Sequence, residues 1–217
     1  MRGLSASIPW IEALNRTRAA AEKRGIGGQA PMARSRARAP DRQDSVILFL
    51  DFDGVLHPDP CYERQRLFEQ APRLSGALAP FPEVRVVLST TWRNLVEPEE
   101  LLGYLPDGLR DRVVGATPNF GTFDARSALV PYRRQAECEQ WLLANGHPAD
   151  AWIAIDDRPS WFVPYCEQLI DCHPAIGFDA PAAGRLTRAL LRARPRRQAA
   201  AAAASPASAR SPQASAA

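Results

Sequence analysis

Residues 45–60, with the sequence SVILFLDFDGVLHPDP, constrain the fold of this chain more than any other stretch. The stretch begins with an unbroken apolar run, Val46–Leu50, as a strand does when both of its faces are buried in a parallel sheet. Asp51 and Asp53 follow at once, and Gly54 then permits a backbone conformation that a residue with a Cβ resists. Open α/β sheets bind their ligands at the carboxyl ends of strands. Two carboxylates this close repel each other unless a cation or a shared proton intervenes, so the pair predicts a divalent metal or acid/base chemistry.

The sequence between residues 45 and 194 alternates between strand and helix patterns. The predicted strands are 46–50, 84–88, 113–115, 151–155 and 169–170. The predicted helices are 67–78, 97–102, 132–145 and 181–194. This alternation favours the α/β class, with a central parallel sheet and helices on both faces.

The charge of the chain is unevenly distributed. The formal net charge is +3, but residues 45–194 hold fifteen arginines and twenty Asp/Glu, for a net charge of −5. The excess of basic residues lies at the two ends of the chain, with nine Lys/Arg in 1–44 and three in 195–217. We predict a disordered basic arm at 1–44, one folded domain at 45–194 and a disordered Ala/Ser/Pro-rich tail at 195–217. A basic arm could bind nucleic acid, although a solvated arginine-biased tail is the more common case, and Met32 could be the true start.

The composition also bears on the compartment. No apolar run approaches the ~18 to 20 residues of a membrane span, and the N-terminus lacks the apolar centre of a secretory signal. The four cysteines, which are Cys61, Cys138, Cys166 and Cys172, form no C-x-x-C pair. We therefore expect reduced thiols, a cytoplasmic location and no membrane partner.

Oxygen-bearing side chains follow three of the predicted strands. They are Asp51 and Asp53, Ser89 with Thr90 and Thr91, and Asp156 with Asp157. In a parallel sheet these strand ends lie on the same edge. Four carboxylates gathered there need a cation, and hard oxygen ligands favour Mg2+ over zinc.

Two arginines, Arg133 and Arg134, stand in the first turn of the predicted helix 132–145. The helix dipole disfavours a cation there, and an anion in the site would explain the placement. Structural alternatives remain for single residues: a hydroxyl in 89–91 or the carboxylate of Asp156 could cap a helix, and either arginine could be a solvated charge.

In chain order, the motifs read D-F-D-G-V-L-H-P, V-V-L-S-T-T-W-R, R-x-x-E-x-x-x-W-L and W-I-A-I-D-D. They resemble the four motifs of the haloacid dehalogenase-like (HAD) superfamily of phosphotransferases, and most of all its domain in the Swiss Army Knife RNA repair proteins. The phosphatase half of phage polynucleotide kinase is a more distant likeness. The resemblance covers roughly residues 45–194 and implies a three-layer, Rossmann-like fold and a Mg2+-dependent phosphatase.

The resemblance also implies a role for each motif residue. Asp51 would be the nucleophile that becomes an aspartyl phosphate, and Asp53 would be the general acid and then the general base. The predicted phosphate ligands are Ser89 and Arg134, with Thr90 and Arg133 as alternatives.

The resemblance further implies a ligand set for Mg2+. The ion would be held by the carboxylate of Asp51, the backbone carbonyl of Asp53 and Asp157, with Asp156 beside it or acting through water.

His57 and Trp92 lie beside the motifs and have structural interpretations. We interpret His57 as a loop-packing residue rather than a functional one. Core or rim packing is also the more common role for a tryptophan in the position of Trp92, but it is the one tryptophan we consider for base stacking.

The spacing of the motifs bears on the substrate. Asp51 and Ser89 are 38 positions apart and Ser89 and Arg134 are 45 apart, and the predicted helices and strands occupy both intervals. Little or no cap domain is therefore expected, and an open site suits a bulky phosphorylated substrate such as a nucleic-acid end or a phosphoprotein. The alternative is a catalytically idle module whose acidic edge binds a metal and whose arm binds RNA or a protein.

Overall fold

The computed structural model describes residues 45–149 and 151–204. Its strands are β1 (Val46–Leu50), β2 (Val84–Leu88), β3 (Val113–Ala116), β4 (Trp152–Asp156) and β5 (Leu169–Asp171). Its α-helices are α1 (Ala71–Leu78), α2 (Pro98–Gly103), α3 (Asp107–Arg110), α4 (Arg133–Asn145) and α5 (Ala180–Ala204). Short 3-10 helices cover Arg64–Arg66, Thr91–Asn94, Ser127–Leu129 and Pro159–Trp161.

The five strands form one parallel sheet in the order β3-β2-β1-β4-β5. β1 is central and pairs with β2 on one side and with β4 on the other. The order reverses between β1 and β4, and in open α/β sheets such a reversal opens a crevice at the carboxyl ends of the strands. Two backbone hydrogen bonds continue the pairing past β1: Asp51 N donates to Ile155 O at 3.1 Å and Ser89 N donates to Leu50 O at 2.8 Å. The first residues after β1 and β2 are therefore held rigidly against the sheet.

Side chains of β1 alternate between two hydrophobic clusters, one on each face of the sheet. The first cluster includes Val46, Leu48 and Leu50 of β1, Leu74 and Leu78 of α1, and Leu186 and Leu190 of α5. The second includes Ile47 and Phe49 of β1 and Cys138, Trp141 and Leu142 of α4. Burial of each of the larger side chains stabilises the fold by about 1.5 to 3 kcal/mol. The predicted α/β class, with a parallel sheet between two helical layers, is confirmed.

The long helix α4 ends where the sequence predicts. Gly146 takes a left-handed conformation with φ at 68°, which glycine adopts without the steric penalty of a Cβ. The amide of His147 then donates to Leu142 O at 2.9 Å and closes the last turn.

Helix α1 is shorter than predicted, because it begins at Ala71 rather than at Leu67. Phe68 interrupts the pattern with φ at 60°, outside the helical region. Its ring stacks on Tyr104 and meets the edges of Phe52 and Trp92, so aromatic packing overrides the helical periodicity at this point.

Helix α5 continues to Ala204, past the predicted end at Arg194. The added residues include the run Ala199–Ala204, and alanine has the highest intrinsic helix propensity. The predicted arm at 1–44 and the rest of the predicted tail, 205–217, lie outside the described residues.

Neither interval between the motifs contains an inserted domain in the part of the chain that the structure describes. The chain from β1 to β2 forms a short 3-10 helix and α1, and the chain from β2 to α4 forms α2, α3, β3 and two 3-10 helices. All four cysteines are free thiols. Across residues 45–149 and 151–204, the structure contains no helix that is both long enough and apolar enough to cross a membrane.

Candidate active site

Three buried carboxylates meet where β1 and β4 end. Asp51, Asp156 and Asp157 each offer an oxygen, and these oxygens lie within 4.8 Å of one another. Asp51 follows β1, and Asp156 and Asp157 form the end of β4 and its continuation. Because β1 and β4 are paired neighbours, the fold brings together residues that are more than a hundred positions apart in the chain.

This acidic cluster is electrostatically unfavourable without a cation. Burial is the largest cause that raises the pKa of Asp51 and that raises the pKa of Asp156 well above its usual value. The charge of Asp53 adds to the shift of Asp51 and the charge of Asp51 adds to that of Asp156, while the charge of Arg134 opposes both shifts. Burial, followed by the charge of Asp51, raises the pKa of Asp157 to about 6. The charged forms of the three groups are thus all disfavoured, and a bound cation would relieve the repulsion.

The donor set fits a hard divalent cation such as Mg2+. All three side chains supply carboxylate oxygens, the ligand type that Mg2+ prefers. Asp156 Oδ2 is buried and makes no hydrogen bond with the described residues, although Arg134 Nε lies 3.1 Å away in an ion pair that lacks hydrogen-bond geometry.

Gly54 makes room for Asp157 in this cluster. It has φ at 68°, and a Cβ at this position would lie 2.4 Å from Asp157 Oδ2. Gly54 of the first motif therefore leaves the space that the side chain of Asp157, in the fourth motif, occupies.

Replacing Gly54 by alanine should therefore destabilise the protein more than the same change at Gly146. The two glycines have the same φ of 68°, but nothing lies within 4 Å of a Cβ at Gly146. The control variant Gly146→Ala therefore measures only the cost of placing alanine at this backbone conformation. We expect about 1 to 2 kcal/mol lost from the free energy of unfolding for Gly146→Ala. The loss for Gly54→Ala should be larger by about 1 to 3 kcal/mol, measured by urea unfolding. Equal losses would show that the contact with Asp157 has no energetic weight.

Arg134 joins two members of the acidic cluster. Its side chain is 2% exposed, with Nη2 3.4 Å from Asp51 Oδ2 and Nε 3.1 Å from Asp156 Oδ2. Burial by itself would lower the pKa of Arg134, but the charges of Asp51, Asp156 and Glu137 raise it. Arg134 therefore remains a cation inside the site.

Arg133 faces elsewhere. Neighbouring residues of a helix point about 100° apart, so α4 directs one of its two arginines to the cluster and the other outward. Arg133 is exposed, and its guanidinium carbon lies 3.7 Å from the ring centroid of Trp161. It is not in contact with the acidic cluster in the described structure, so the structure favours Arg134 over Arg133 as the arginine of the site.

Asp53 occupies the more open edge of the site, and its carboxylate is 34% exposed. Trp92 Nε1 lies 3.0 and 2.9 Å from its two oxygens, and His57 Nε2 lies 3.0 Å from Oδ1. The loop-packing interpretation of His57 describes part of its role, because its buried ring packs against Phe68 and Trp92. The sequence did not predict its hydrogen bond to Asp53.

The ring of Trp92 is not available for base stacking, because it is 5% exposed and packed among other aromatic rings. Trp92 instead helps to hold Asp53. Trp92 is part of the second motif, so its position was a usable signal, but only the fold shows that the indole reaches the first motif.

Ser89 and Thr90 are both buried at the end of β2. Thr90 Oγ1 accepts a hydrogen bond from Trp92 N at 3.2 Å and so caps the 3-10 helix Thr91–Asn94, which is the structural alternative given above. A hydrogen bond from the Thr90 side chain also counteracts the burial that raises the pKa of Asp51. The structure thus links Thr90 to the proposed nucleophile, and the choice between Ser89 and Thr90 as phosphate ligand stays a prediction.

Glu137 and Arg93 complete a buried ion-pair network that the sequence reasoning did not single out. Glu137 Oε2 lies 2.8 Å from Arg93 Nη2 and 3.5 Å from Arg134 Nη1. Glu137 Oε1 accepts a hydrogen bond from Phe120 N at 2.8 Å. The i, i+3 spacing of Arg134 and Glu137 was a signal for their contact, since such residues are neighbours on a helix surface. The network ties the loop after β3 to the arginine of the site.

The parallel sheet and the acidic cluster at its switch point define a Rossmann-like α/β protein with buried carboxylates where such sheets bind their ligands. The family described as the HAD domain in Swiss Army Knife RNA repair proteins matches residues 47–183. The match spans more than half of the chain, and the chain belongs to this family. No curated protein and no solved structure matches the chain.

Proposed function

We propose that this protein is a Mg2+-dependent phosphatase that acts through an aspartyl phosphate on a bulky phosphate monoester, such as the terminal phosphate of a nucleic acid. The observation that carries the proposal is the position of Asp51 at the end of β1, inside an acidic cluster and next to the buried cation of Arg134. Membership of the HAD family supports a phosphatase in general.

In the first step, a carboxylate oxygen of Asp51 attacks phosphorus, and the bond between phosphorus and the ester oxygen breaks. The protonated carboxyl of Asp53 gives its proton to the leaving oxygen, so that an alcohol departs. Asp53 suits this role because Trp92 and His57 hold it while its carboxylate remains partly exposed. Arg134 stabilises the negative charge that gathers near Asp51 in the transition state.

In the second step, water attacks the phosphorus of the aspartyl phosphate and the bond to the Asp51 oxygen breaks. The carboxylate of Asp53 takes the proton of the water, and inorganic phosphate leaves with Asp51 restored. Ser89, with Thr90 as the alternative, donates a hydrogen bond to a phosphoryl oxygen.

Mg2+ would be held by the carboxylates of Asp51 and Asp157 and the backbone carbonyl of Asp53, where it would neutralise charge on these groups and on the phosphoryl group. The ion pair between Asp156 and Arg134 supports an indirect role for Asp156, which would orient the arginine beside the metal.

The proposed substrate is a nucleic-acid end. The description of the family refers to RNA repair, the described structure contains no cap domain, and the predicted arm at 1–44 is basic. We propose accordingly that residues 45–194 form the catalytic domain, that the arm assists in binding nucleic acid, and that the protein acts in the cytoplasm.

A phosphatase assay on the purified full-length protein tests the proposed function. With Mg2+ present, the protein should release phosphate from an aryl phosphate and, more efficiently, from RNA with a 5′- or 3′-terminal phosphate. Chelation of the metal should stop both reactions. Binding of RNA without release of phosphate from any substrate would overturn the enzymatic function and leave the idle binding module.

A further inference from the structure

A group of cations surrounds one half-buried tryptophan beside the acidic cluster. The guanidinium carbons of Arg133, Arg134 and Arg158 lie 3.7, 5.2 and 5.3 Å from the ring centroid of Trp161. Trp161 packs against the hydrophobic cluster that α4 covers, so the ring is anchored. We call the exposed part of this group, Arg133, Trp161 and Arg158, the Arg–Trp surface.

The Arg–Trp surface adjoins the proposed reaction centre. Arg134 touches both the Trp161 ring and the carboxylates of the site. On the other side, Arg158 Nε lies 3.7 Å from Asp157 Oδ1, and its Nη2 lies 2.8 Å from Asp59 Oδ2. A molecule whose phosphate lay at Asp51 would therefore extend past this surface if it left the site on the side of α4.

Arg133 has no evident structural task there. In the part of the chain that the structure describes, its guanidinium has no carboxylate within ion-pair distance and makes no hydrogen bond, and it packs on the ring of Trp161 in a cation–π contact. It also stands in the first turn of α4, where the helix dipole disfavours a cation. A cation in this place is stabilised if an anion binds to it.

The chemistry of the surface fits a polynucleotide strand. A guanidinium packed on an aromatic ring keeps its N–H donors in its own plane, where they can reach phosphate oxygens in pairs. A strand that ends in a phosphate monoester carries further phosphates at regular intervals, whereas a phosphopeptide carries no such regular anions. Arg134 and Arg158 lie next to carboxylates of the site, so Arg133 is the member of this group whose charge no carboxylate of the described residues neutralises.

We propose that the Arg–Trp surface binds the diester phosphates that follow the terminal phosphate of a single-stranded nucleic acid, an inference that rests on the proposed function. Arg133 and Arg158 contact phosphate oxygens, and Trp161 holds Arg133 in place. These contacts position the strand and favour a polynucleotide over a small phosphate ester, without reading its sequence.

Arg133→Gln is the decisive variant, because an exposed residue can be replaced without disturbing the core. Arg73→Gln is its matched control: Arg73 is an exposed arginine on α1, on the opposite face of the sheet. Binding is measured in an Asp51→Asn background, by fluorescence anisotropy of a labelled single-stranded RNA with a terminal phosphate. We expect about 10-fold weaker binding for Arg133→Gln, and a salt-dependence slope reduced by about 0.7, which is the value of one lost phosphate contact on a single strand. Arg73→Gln should change neither quantity.

Turnover provides the second readout. In the otherwise natural sequence, Arg133→Gln should lower kcat/KM for phosphorylated RNA about 10-fold more than for an aryl phosphate. For a single-stranded DNA with a terminal phosphate, kcat/KM should fall by the same factor as for RNA, because the proposed contacts are to phosphates. The combination with Trp161→Leu should add little to the loss, since the two residues act as one unit.

The proposal is overturned if Arg133→Gln and Arg73→Gln have the same effect on RNA binding. It is also overturned if Arg133→Gln lowers kcat/KM for a phosphopeptide or for the aryl phosphate as much as it lowers kcat/KM for RNA. Failure of the proposed function gives a different result, in which the natural protein releases phosphate from no substrate. RNA binding that only Arg133→Gln weakens would then still support the surface.

Discussion

Asp51→Asn should abolish phosphatase activity while leaving the fold intact. The substitution keeps the shape of the side chain but removes the carboxylate that attacks phosphorus. We expect the rate of phosphate release from an aryl phosphate to fall by at least about 10⁴-fold, as when other covalent enzymes lose their nucleophile. The substitution removes a buried charge and its repulsion of Asp156 and Asp157, but also its attraction to Arg134. Because these effects oppose each other, the thermal unfolding temperature should stay close to that of the natural protein.

Asp111→Asn is the matched control for this experiment. Asp111 is exposed and precedes β3, at the end of the sheet away from the acidic cluster. It should keep full activity. An Asp51→Asn protein that retains most of its activity would contradict the covalent mechanism, whatever the behaviour of the control.

Asp157→Ala and Arg134→Ala should fail in different ways. Asp157 is proposed to bind Mg2+ directly, so its loss should raise the Mg2+ concentration for half-maximal activity by about 10- to 100-fold. Arg134 is proposed to stabilise charge in the transition state, so its loss should lower turnover at saturating Mg2+ by about 2.7 to 4 kcal/mol and leave the Mg2+ requirement nearly unchanged. Rates measured against Mg2+ concentration for both variants separate the two effects.

The stability of the Arg134 variant needs a separate measurement, because its side chain is buried between carboxylates. Removing one partner of a buried ion pair destabilises a protein by about 3 to 5 kcal/mol. Arg134→Lys keeps the charge and should lose less stability, so it serves as the second variant if Arg134→Ala does not fold. If both Arg134 variants keep their turnover while Arg133→Ala is inactive, then Arg133, and not Arg134, stabilises the transition state.

Local patterns predicted most of the secondary structure. The bounds of β1 and β2 agree with the predicted 46–50 and 84–88, since strands buried in a parallel sheet are rich in apolar residues and carry a strong signal, even though Arg85 interrupts the apolar run of β2. The start of α1 and the end of α5 were predicted wrongly, the first for a non-local reason and the second for a local one. Aromatic packing holds Phe68 outside the helix, and the high helix propensity of alanine extends α5.

The order of strands and motifs along the chain was enough to predict which chemical groups share one edge of the sheet. A parallel sheet places the carboxyl ends of all its strands on one edge, so the carboxylates after β1 and β4 were expected on the same edge. The pairing of β1 with β4, which the structure shows, then brings Asp51, Asp156 and Asp157 together. Their catalytic roles stay predictions until the variants are measured.

The contacts that hold those groups in place could not be predicted from the motifs. The rotation of α4 against the sheet directs Arg134 to Asp51 and Arg133 to Trp161, and no local pattern distinguishes two adjacent arginines. The contact of Trp92 with Asp53 spans 39 positions of the chain and depends on how the 3-10 helix after β2 packs against the loop after β1. Side-chain direction across such contacts is set by the packing of whole elements, which a linear motif does not encode.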